Sequence, residues 1–291
     1  MIIDVISHES DMQPFRKLAF VVNQQKNGAT QLARELMSLA RGAGATRIKS
    51  ANARRLPSGY FKGYDACCVI GGDGTLLGVV REATRANIPI IGVNQGSLGY
   101  LTTFSPEEAR ANFSDLIRGS YGLASRTLLD CQTGLRRRDL ALNDVLIKAE
   151  INSRLVRLEV HADGELVTDY LCDGLVFSTP TGSTAYNLSA GGPIIHPVAR
   201  VIAMTPICPH TLSNRTIVFP DSVRLKIFNR SLESRLLVAM DGQRNRVVTE
   251  GSCIEVRSAK SQLSLVQQPD YSHFGVMRAK LKWSGGLTDK K

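Results

Sequence analysis

The strongest constraint on what this chain can fold into lies between residues 65 and 83. Asp65-Ala66-Cys67-Cys68-Val69-Ile70 reads as a short buried strand, and from Leu76-Leu77 through Val79-Val80 to Ala83 the apolar residues take helical spacing. The junction is Gly71-Gly72-Asp73-Gly74. Glycines at a strand-to-helix junction let the backbone turn tightly and come close to a phosphate, and a helix start aims free N–H groups at the anion. Asp73 does not belong in a pure phosphate cradle, where its charge would repel the ligand. A carboxylate there should face a hydroxyl or a metal, which points to phosphoryl transfer to an alcohol.

Other readings of the turn are narrower. No G-x-x-x-x-G-K-[ST] occurs, which excludes a Walker A loop. Gly72-x-Gly74 begins a dinucleotide fingerprint, but Leu77 stands in the third glycine's place. The plain alternative is a strand-to-helix turn in which Asp73 only caps the helix.

Around this junction the first hundred residues alternate as a parallel α/β unit does. Strands are expected at 17–22, near 46–49, at 67–70 and at 88–94, with an amphipathic helix over 29–40. The last strand ends in a second glycine-rich turn, Asn94-x-Gly96-x-x-Gly99, and Ser105-Pro106-Glu107-Glu108 is a helix start with a serine cap. After about Gly119 the pattern changes to period two, as in Arg157-Leu158-Glu159-Val160-His161-Ala162 and Arg224-Leu225-Lys226-Ile227-Phe228. Turn pairs such as Asp163-Gly164 and Asp241-Gly242 separate these runs, and Asp163-Gly164 reads simply as a β-turn. The fold expected is α/β + β: a Rossmann-like α/β domain over 1–119 plus 270–291, and a mostly antiparallel β domain over 120–269. The helical spacing from Tyr271 to Trp283 suits a C-terminal segment packing back on the first domain. Residues 1–16 read as a loosely packed extension.

A chain of 291 residues can bury a large core. Its net charge of +10 suits nucleic acid, an anionic surface or a small polyanionic substrate. The densest basic clusters, Arg54-Arg55 and Arg136-Arg137-Arg138, have no interleaved aromatics, and no nucleic-acid-binding signature accompanies them. A polyphosphate-bearing substrate is the better explanation. The six cysteines show no C-x-x-C or zinc spacing, which suits a reduced, cytoplasmic protein. Asp4, Glu9 and Asp11 argue against a secretory signal, and no apolar run is long enough to span a bilayer.

Three further segments gather polar and glycine residues: Asn143-Asp144, Asp173-Gly174, and Asp241-Gly242-Gln243. A fourth, Thr179-Pro180-Thr181-Gly182-Ser183-Thr184-Ala185-Tyr186-Asn187-Leu188-Ser189, follows the apolar run Leu175-Val176-Phe177. Small hydroxyl residues let backbone approach a ligand and supply donors to ribose and phosphate, while Tyr186 offers a ring face. So long a polar segment is rarely an idle loop.

Taken in order, Gly71-Gly72-Asp73-Gly74-Thr75-Leu76-Leu77, the Gly92–Thr102 run, Asn143-Asp144, Asp173-Gly174-Leu175, Ser178 through Tyr186 and Asp241-Gly242-Gln243 resemble the NAD kinase family. Tyr271-Ser272-x-Phe274 and Lys280-Leu281-x-Trp283 resemble its C-terminal segment. The resemblance implies ATP-dependent phosphorylation of the adenosine ribose 2′-hydroxyl of NAD, giving NADP, with Mg²⁺ or another divalent cation on the donor phosphates. It implies that Asp73 is catalytic, contacting the ribose hydroxyls beside Gly74, and that Gly71, Gly72, Gly74 and Thr75 form the phosphate turn. Asn143 and Asp144 would hold the ribose or metal-phosphate region. Asp173, Thr184, Ala185 and Tyr186 would line the dinucleotide pocket, with Asn187, Leu188 and Ser189 behind and Gln243 at the edge. Arg154 would reach the dinucleotide, and a homodimer or homotetramer would form.

Two positions depart from the family pattern. Asp144 stands where many members have glutamate, one methylene longer. Leu171 stands where some bacterial members carry arginine, and an apolar side chain cannot make that charged contact. The rival readings are a lipid or sugar kinase sharing the Gly-Gly-Asp-Gly turn, and a non-catalytic dinucleotide sensor. A lipid kinase should show a membrane-docking stretch, and a sensor has no need of Asp73, Asn143 and Asp144 together.

Overall fold

Two alternations of side-chain spacing, one helical and one of period two, divide the chain into two compact units. A computed structural model describes residues 12–96, 99–134, 137–151, 155–231, 234–268 and 271–283. One unit runs to Ser125 and resumes at Leu263; the other is Arg126–Gln262.

The first unit contains, in chain order, β1 (Lys17–Val22), α1 (Ala29–Gly42), β2 (Arg47–Asn52), β3 (Ala66–Gly71), α2 (Asp73–Leu77), α3 (Val80–Ala86), β4 (Ile90–Asn94) and α4 (Pro106–Arg118). The strands form a parallel sheet in the order β2-β1-β3-β4. Parallel neighbours require a crossover, and the helices supply it. All six residues of β3 are buried, including Cys67 and Cys68, as expected of a strand covered on both faces. Helix α1 buries Ala29, Leu32, Ala33, Leu36 and Ala40 on one stripe, in the core that also takes Ala109, Phe113, Leu116 and Ile117 of α4.

Helix α4 begins with a reciprocal cap. The Glu108 N–H donates to Ser105 Oγ at 3.1 Å, and the Ser105 N–H donates to Glu108 Oε2 at 2.7 Å. The expected single helix after the glycine turn is instead broken into α2 and α3, with Gly78, a poor helix former, at the break. Residues 12–16 are not a loose extension. Phe15 is buried, stacks on Tyr121 at 4.5 Å, and its N–H donates to the Ile117 carbonyl. Residues 1–11 lie outside the described residues.

Strand β5 (Gly122–Thr133) leads into the second unit, followed by β6 (Arg137–Ala141), β7 (Asp144–Ala149), β8 (Val156–Ala162), β9 (Glu165–Cys172), β10 (Gly174–Ser178), the short α5 (Tyr186–Ser189), β11 (Val201–Ile207), β12 (Ile217–Pro220), β13 (Arg224–Asn229), β14 (Leu236–Met240), β15 (Arg244–Val248) and β16 (Cys253–Gln267). One antiparallel sheet has the order β12-β11-β10-β7-β14-β15. The other pairs β16-β13-β8-β9, with β5 joined to β16 and to β6. Inward residues of both sheets, such as Phe177, Met204 and Val238 against Leu158, Ile227 and Val256, share one core. Asp163-Gly164 is the β8–β9 hairpin turn, both residues at positive φ. The last residues of β16 belong to the first unit, where Leu265 pairs in parallel with Ile90, and α6 (His273–Leu281) follows there.

Replacing Ser105 by Ala removes one half of the α4 cap and is expected to cost about 1 kcal/mol of stability. Urea unfolding of the variant beside the parent checks this; coincident curves would show that the cap contributes nothing.

Candidate active site

Neighbouring parallel strands end at the same sheet edge, so the loops after β3 and β4 must meet. After β4 the chain leaves at Asn94 and returns at Phe104. There the Asn94 N–H donates to the Phe104 carbonyl at 2.8 Å, and the Phe104 N–H to the Gly92 carbonyl at 3.1 Å. This excursion brings three successive backbone N–H groups to Asp73. Tyr100 N–H donates to Oδ2 at 2.8 Å; Leu101 and Thr102 N–H donate to Oδ1 at 3.1 and 3.0 Å, and the Thr102 hydroxyl adds a fourth contact to Oδ1 at 3.0 Å. Gly99 is required for this approach: a Cβ there would lie 2.2 Å from both Asp73 Oδ1 and Thr102 Oγ1. The two glycine motifs seen in the sequence are therefore one structure.

The four phosphate-turn residues differ in what they leave free. Gly71 ends β3, its carbonyl accepts from Gln95 N–H, and a Cβ on it would strike Thr75. The Thr75 hydroxyl accepts from Asn23 Nδ2 at 3.3 Å and from the Gly72 N–H at 3.5 Å. Gly71 and Thr75 thus build the turn. Around Gly72 and Gly74 a Cβ would meet only open space, and neither has positive φ, so nothing in the chain itself demands glycine there.

In the second unit the sheet register gathers three segments at one end. Ser178 pairs with Asp144 and Met240 with Val145, which sets the loop after β10 and the β14–β15 turn beside Asn143-Asp144. The Thr179 N–H donates to the Asn143 carbonyl at 2.9 Å, and the Thr179 hydroxyl to the Leu142 carbonyl at 2.6 Å. Gly182 lies so close that a Cβ on it would stand 2.0 Å from the Asn143 carbonyl oxygen. From the other segment Asp241, in the β14–β15 turn at φ 52°, accepts from three successive N–H groups: Leu142 at 2.9, Asn143 at 2.7 and Asp144 at 3.3 Å. In the sequence Asp241 stands out as half of a turn pair and as the start of the Asp241-Gly242-Gln243 motif, and neither signal carries a hint of a partner 98 residues earlier.

The remaining candidates separate into groups. Thr184, Ala185 and Leu188 are partly exposed, and Tyr186, Ser189 and Gln243 are exposed. Asn187 is fully buried, with Nδ2 donating to the Ser183 and Pro193 carbonyls and Oδ1 accepting from the Thr205 hydroxyl, so it shapes the loop from within. Asp173, just before β10, is exposed at the opposite end of that strand, roughly 17 Å of strand away from Ser178, and the exposed Leu171 lies near the end of β9. Arg154 lies outside the described residues.

Burial shapes the acids here. Asp144 is 6% exposed, and among the described residues its carboxyl has no hydrogen-bond or ion-pair partner. Desolvation, with the Asp241 charge second, pushes it from 3.8 up to about 7. Asp241 is also raised by burial, against the pull of its three backbone donors and of Arg244. Among the described residues no group of three or more His, Cys, Asp or Glu side chains could hold a metal ion. No described helix is long and apolar enough to cross a membrane.

A carboxylate fixed at the glycine turn of the first unit and, separately, polar loops gathered at one sheet end of the second are features that suit a nucleotide phosphotransferase. Residues 60–121 match the ATP-NAD kinase N-terminal domain and residues 142–268 the ATP-NAD kinase C-terminal domain. The NAD kinase of Trichlorobacter lovleyi is 39% identical over 221 residues, covering 74% of this chain and 77% of the relative. That of Azotobacter vinelandii is 38% identical over 228 residues, 77% of each. The fold is shared with yeast NADH kinase complexed with NADH (TM-score 0.76, 23% identity, 97% of this chain and 90% of that one). It is shared equally with an NAD kinase from Archaeoglobus fulgidus in complex with ATP (TM-score 0.75, 23% identity, 90% and 99%). The chain belongs to the ATP-NAD kinase family.

The Asp144 environment has a pH consequence. A carboxyl raised from 3.8 to about 7 binds its proton more tightly folded than unfolded. Its effect is neutral below about pH 4, and stability falls as pH rises through the window up to 7. Unfolding free energies at pH 5 and pH 8 should therefore drop more for the parent than for Asp144→Asn, which cannot ionise. Parallel pH dependences would contradict the buried environment.

Proposed function

We propose that this protein is an NAD kinase that transfers the terminal phosphoryl group of ATP to the adenosine ribose 2′-hydroxyl of NAD, giving NADP. The observation that carries the reading is the distribution of donors on Asp73. Oδ1 accepts three hydrogen bonds and Oδ2 only one, so Oδ2 retains the capacity to accept from a substrate hydroxyl. Phosphoryl transfer has a loose transition state in which positioning and charge neutralisation matter more than forceful deprotonation. Asp73 accordingly orients the hydroxyl and takes its proton late, as the new O–P bond forms and ADP leaves. The open backbone at Gly72 and Gly74 receives donor phosphates. A divalent cation such as Mg²⁺, when bound with the donor, would supply charge neutralisation to those phosphates, and Mg²⁺ usually takes substrate phosphates among its ligands.

For the dinucleotide, Asn143 and Asp144 take the ribose or metal-phosphate region, Thr184, Ala185 and Tyr186 line the pocket with Leu188 and Ser189 close behind, and Gln243 stands at its edge. The half-exposed Tyr186 ring offers a stacking face. Asp173 and Leu171 face the dinucleotide of a neighbouring subunit in a homodimer or homotetramer; the separation of Asp173 from the Asn143 end of β10 supports this. The free state of all six thiols supports a cytoplasmic setting.

Incubation with NAD, ATP and Mg²⁺ should give NADP. Asp73→Asn should cut turnover by about 10²- to 10⁴-fold, the usual worth of a positioned general base, while NAD binding stays within several-fold. Saturable NAD binding without product, or near-normal turnover of the variant, would overturn the proposal.

A further inference from the structure

Asp241 lies outside the set of residues assigned above to substrate, yet the Asn143-Asp144 turn hangs on it. Its carboxylate takes the N–H groups of Leu142, Asn143 and Asp144, and its own N–H donates to the Asp144 carbonyl at 3.0 Å. The residue is 7% exposed and held at positive φ, a conformation that costs energy in any residue but glycine and is least costly in Asp or Asn. The rest of its hairpin is fastened to the same segment. Arg244 Nε donates to Asp139 Oδ1 at 3.1 Å and its Nη2 to the Leu140 carbonyl at 2.5 Å, with Asp139 itself buried on β6. Thr179 and Gly182 close over the turn through the Leu142 and Asn143 carbonyls. The N–H groups of residues 142–144 are thus fixed by the Asp241 carboxylate, the Leu142 and Asn143 carbonyls by Thr179, and the Asp144 carbonyl by the Asp241 N–H.

We propose that Asp241 is a positioning residue for the kinase reaction: by fixing three successive peptide N–H groups it aims the Asn143 and Asp144 side chains at the dinucleotide. The proposal rests on the NAD kinase reading given above. It also makes Asp241 the charged group acting on the Asp144 carboxyl; Arg244 acts in turn on Asp241, and β10, paired at Ser178, brings no charge. An isosteric Asp241→Asn variant keeps the shape but presents an amide N–H₂ to one of the three donors and removes the charge.

The test measures NADP formation against NAD concentration and pH for the parent, Asp241→Asn and Asp144→Asn. Asp241→Asn should lower kcat/KM for NAD at least tenfold. Losing a neighbouring negative charge favours ionised Asp144, so the limb of the pH profile that vanishes in Asp144→Asn should move to lower pH by about one unit in Asp241→Asn. A purely structural residue would lower the melting temperature and leave that limb in place, and that result, or kinetics within twofold of the parent, would overturn the proposal. Should the parent make no NADP, the kinase reading fails by itself. Calorimetric NAD binding then decides the positioning role: at least tenfold weakening in Asp241→Asn sustains it, and unchanged affinity overturns it.

Discussion

A carboxylate that captures three successive backbone N–H groups is the interaction on which the candidate site depends, and the chain uses it twice. Asp73 holds residues 100–102 in the α/β unit, and Asp241 holds residues 142–144 in the β unit. Hydrogen bonds to a charged acceptor contribute about 1.5–3 kcal/mol each, and fixing one residue's backbone costs about 1–2 kcal/mol. Three such bonds therefore suffice to order three residues of loop, with little surplus. Each loop is ordered because its aspartate is there, and each would loosen without it.

The two aspartates differ in what they have left to offer. Asp73 spends three donors on one oxygen and one on the other, which leaves an oxygen with free capacity at a turn where Gly72 and Gly74 border open space. That asymmetry suits a group proposed to orient an alcohol. Asp241 is buried and its capacity goes to the Asn143-Asp144 turn, so its influence passes through other residues. Asp144, buried and raised by that burial and by the Asp241 charge, is the group whose charge answers to that arrangement.

Much of this was legible in the sequence because it is local. The β3 strand, the glycine turn, the Ser105 cap and the period-two strands of the second unit each follow from spacing and turn chemistry within a dozen residues. The contact between the two glycine motifs was one step further away; adjacent parallel strands end at one edge, which would have predicted it. The role of Asp241 was not legible, since an Asp-Gly pair announces a hairpin whatever its side chain touches. Asn187 shows the same limit in reverse: its place in a polar, ligand-like run concealed a side chain turned wholly inward. Position along β10 likewise separates Asp173 from Asn143, although both sit in motifs of similar character.

The central claim is that each aspartate orders its own loop, and amide hydrogen exchange reads it directly. In the parent, the N–H groups of Tyr100, Leu101 and Thr102 and those of Leu142, Asn143 and Asp144 should exchange slowly. Asp73→Asn should accelerate the first triplet alone, and Asp241→Asn the second alone. Protection unchanged in both variants, or lost across the whole protein in each, would contradict the account.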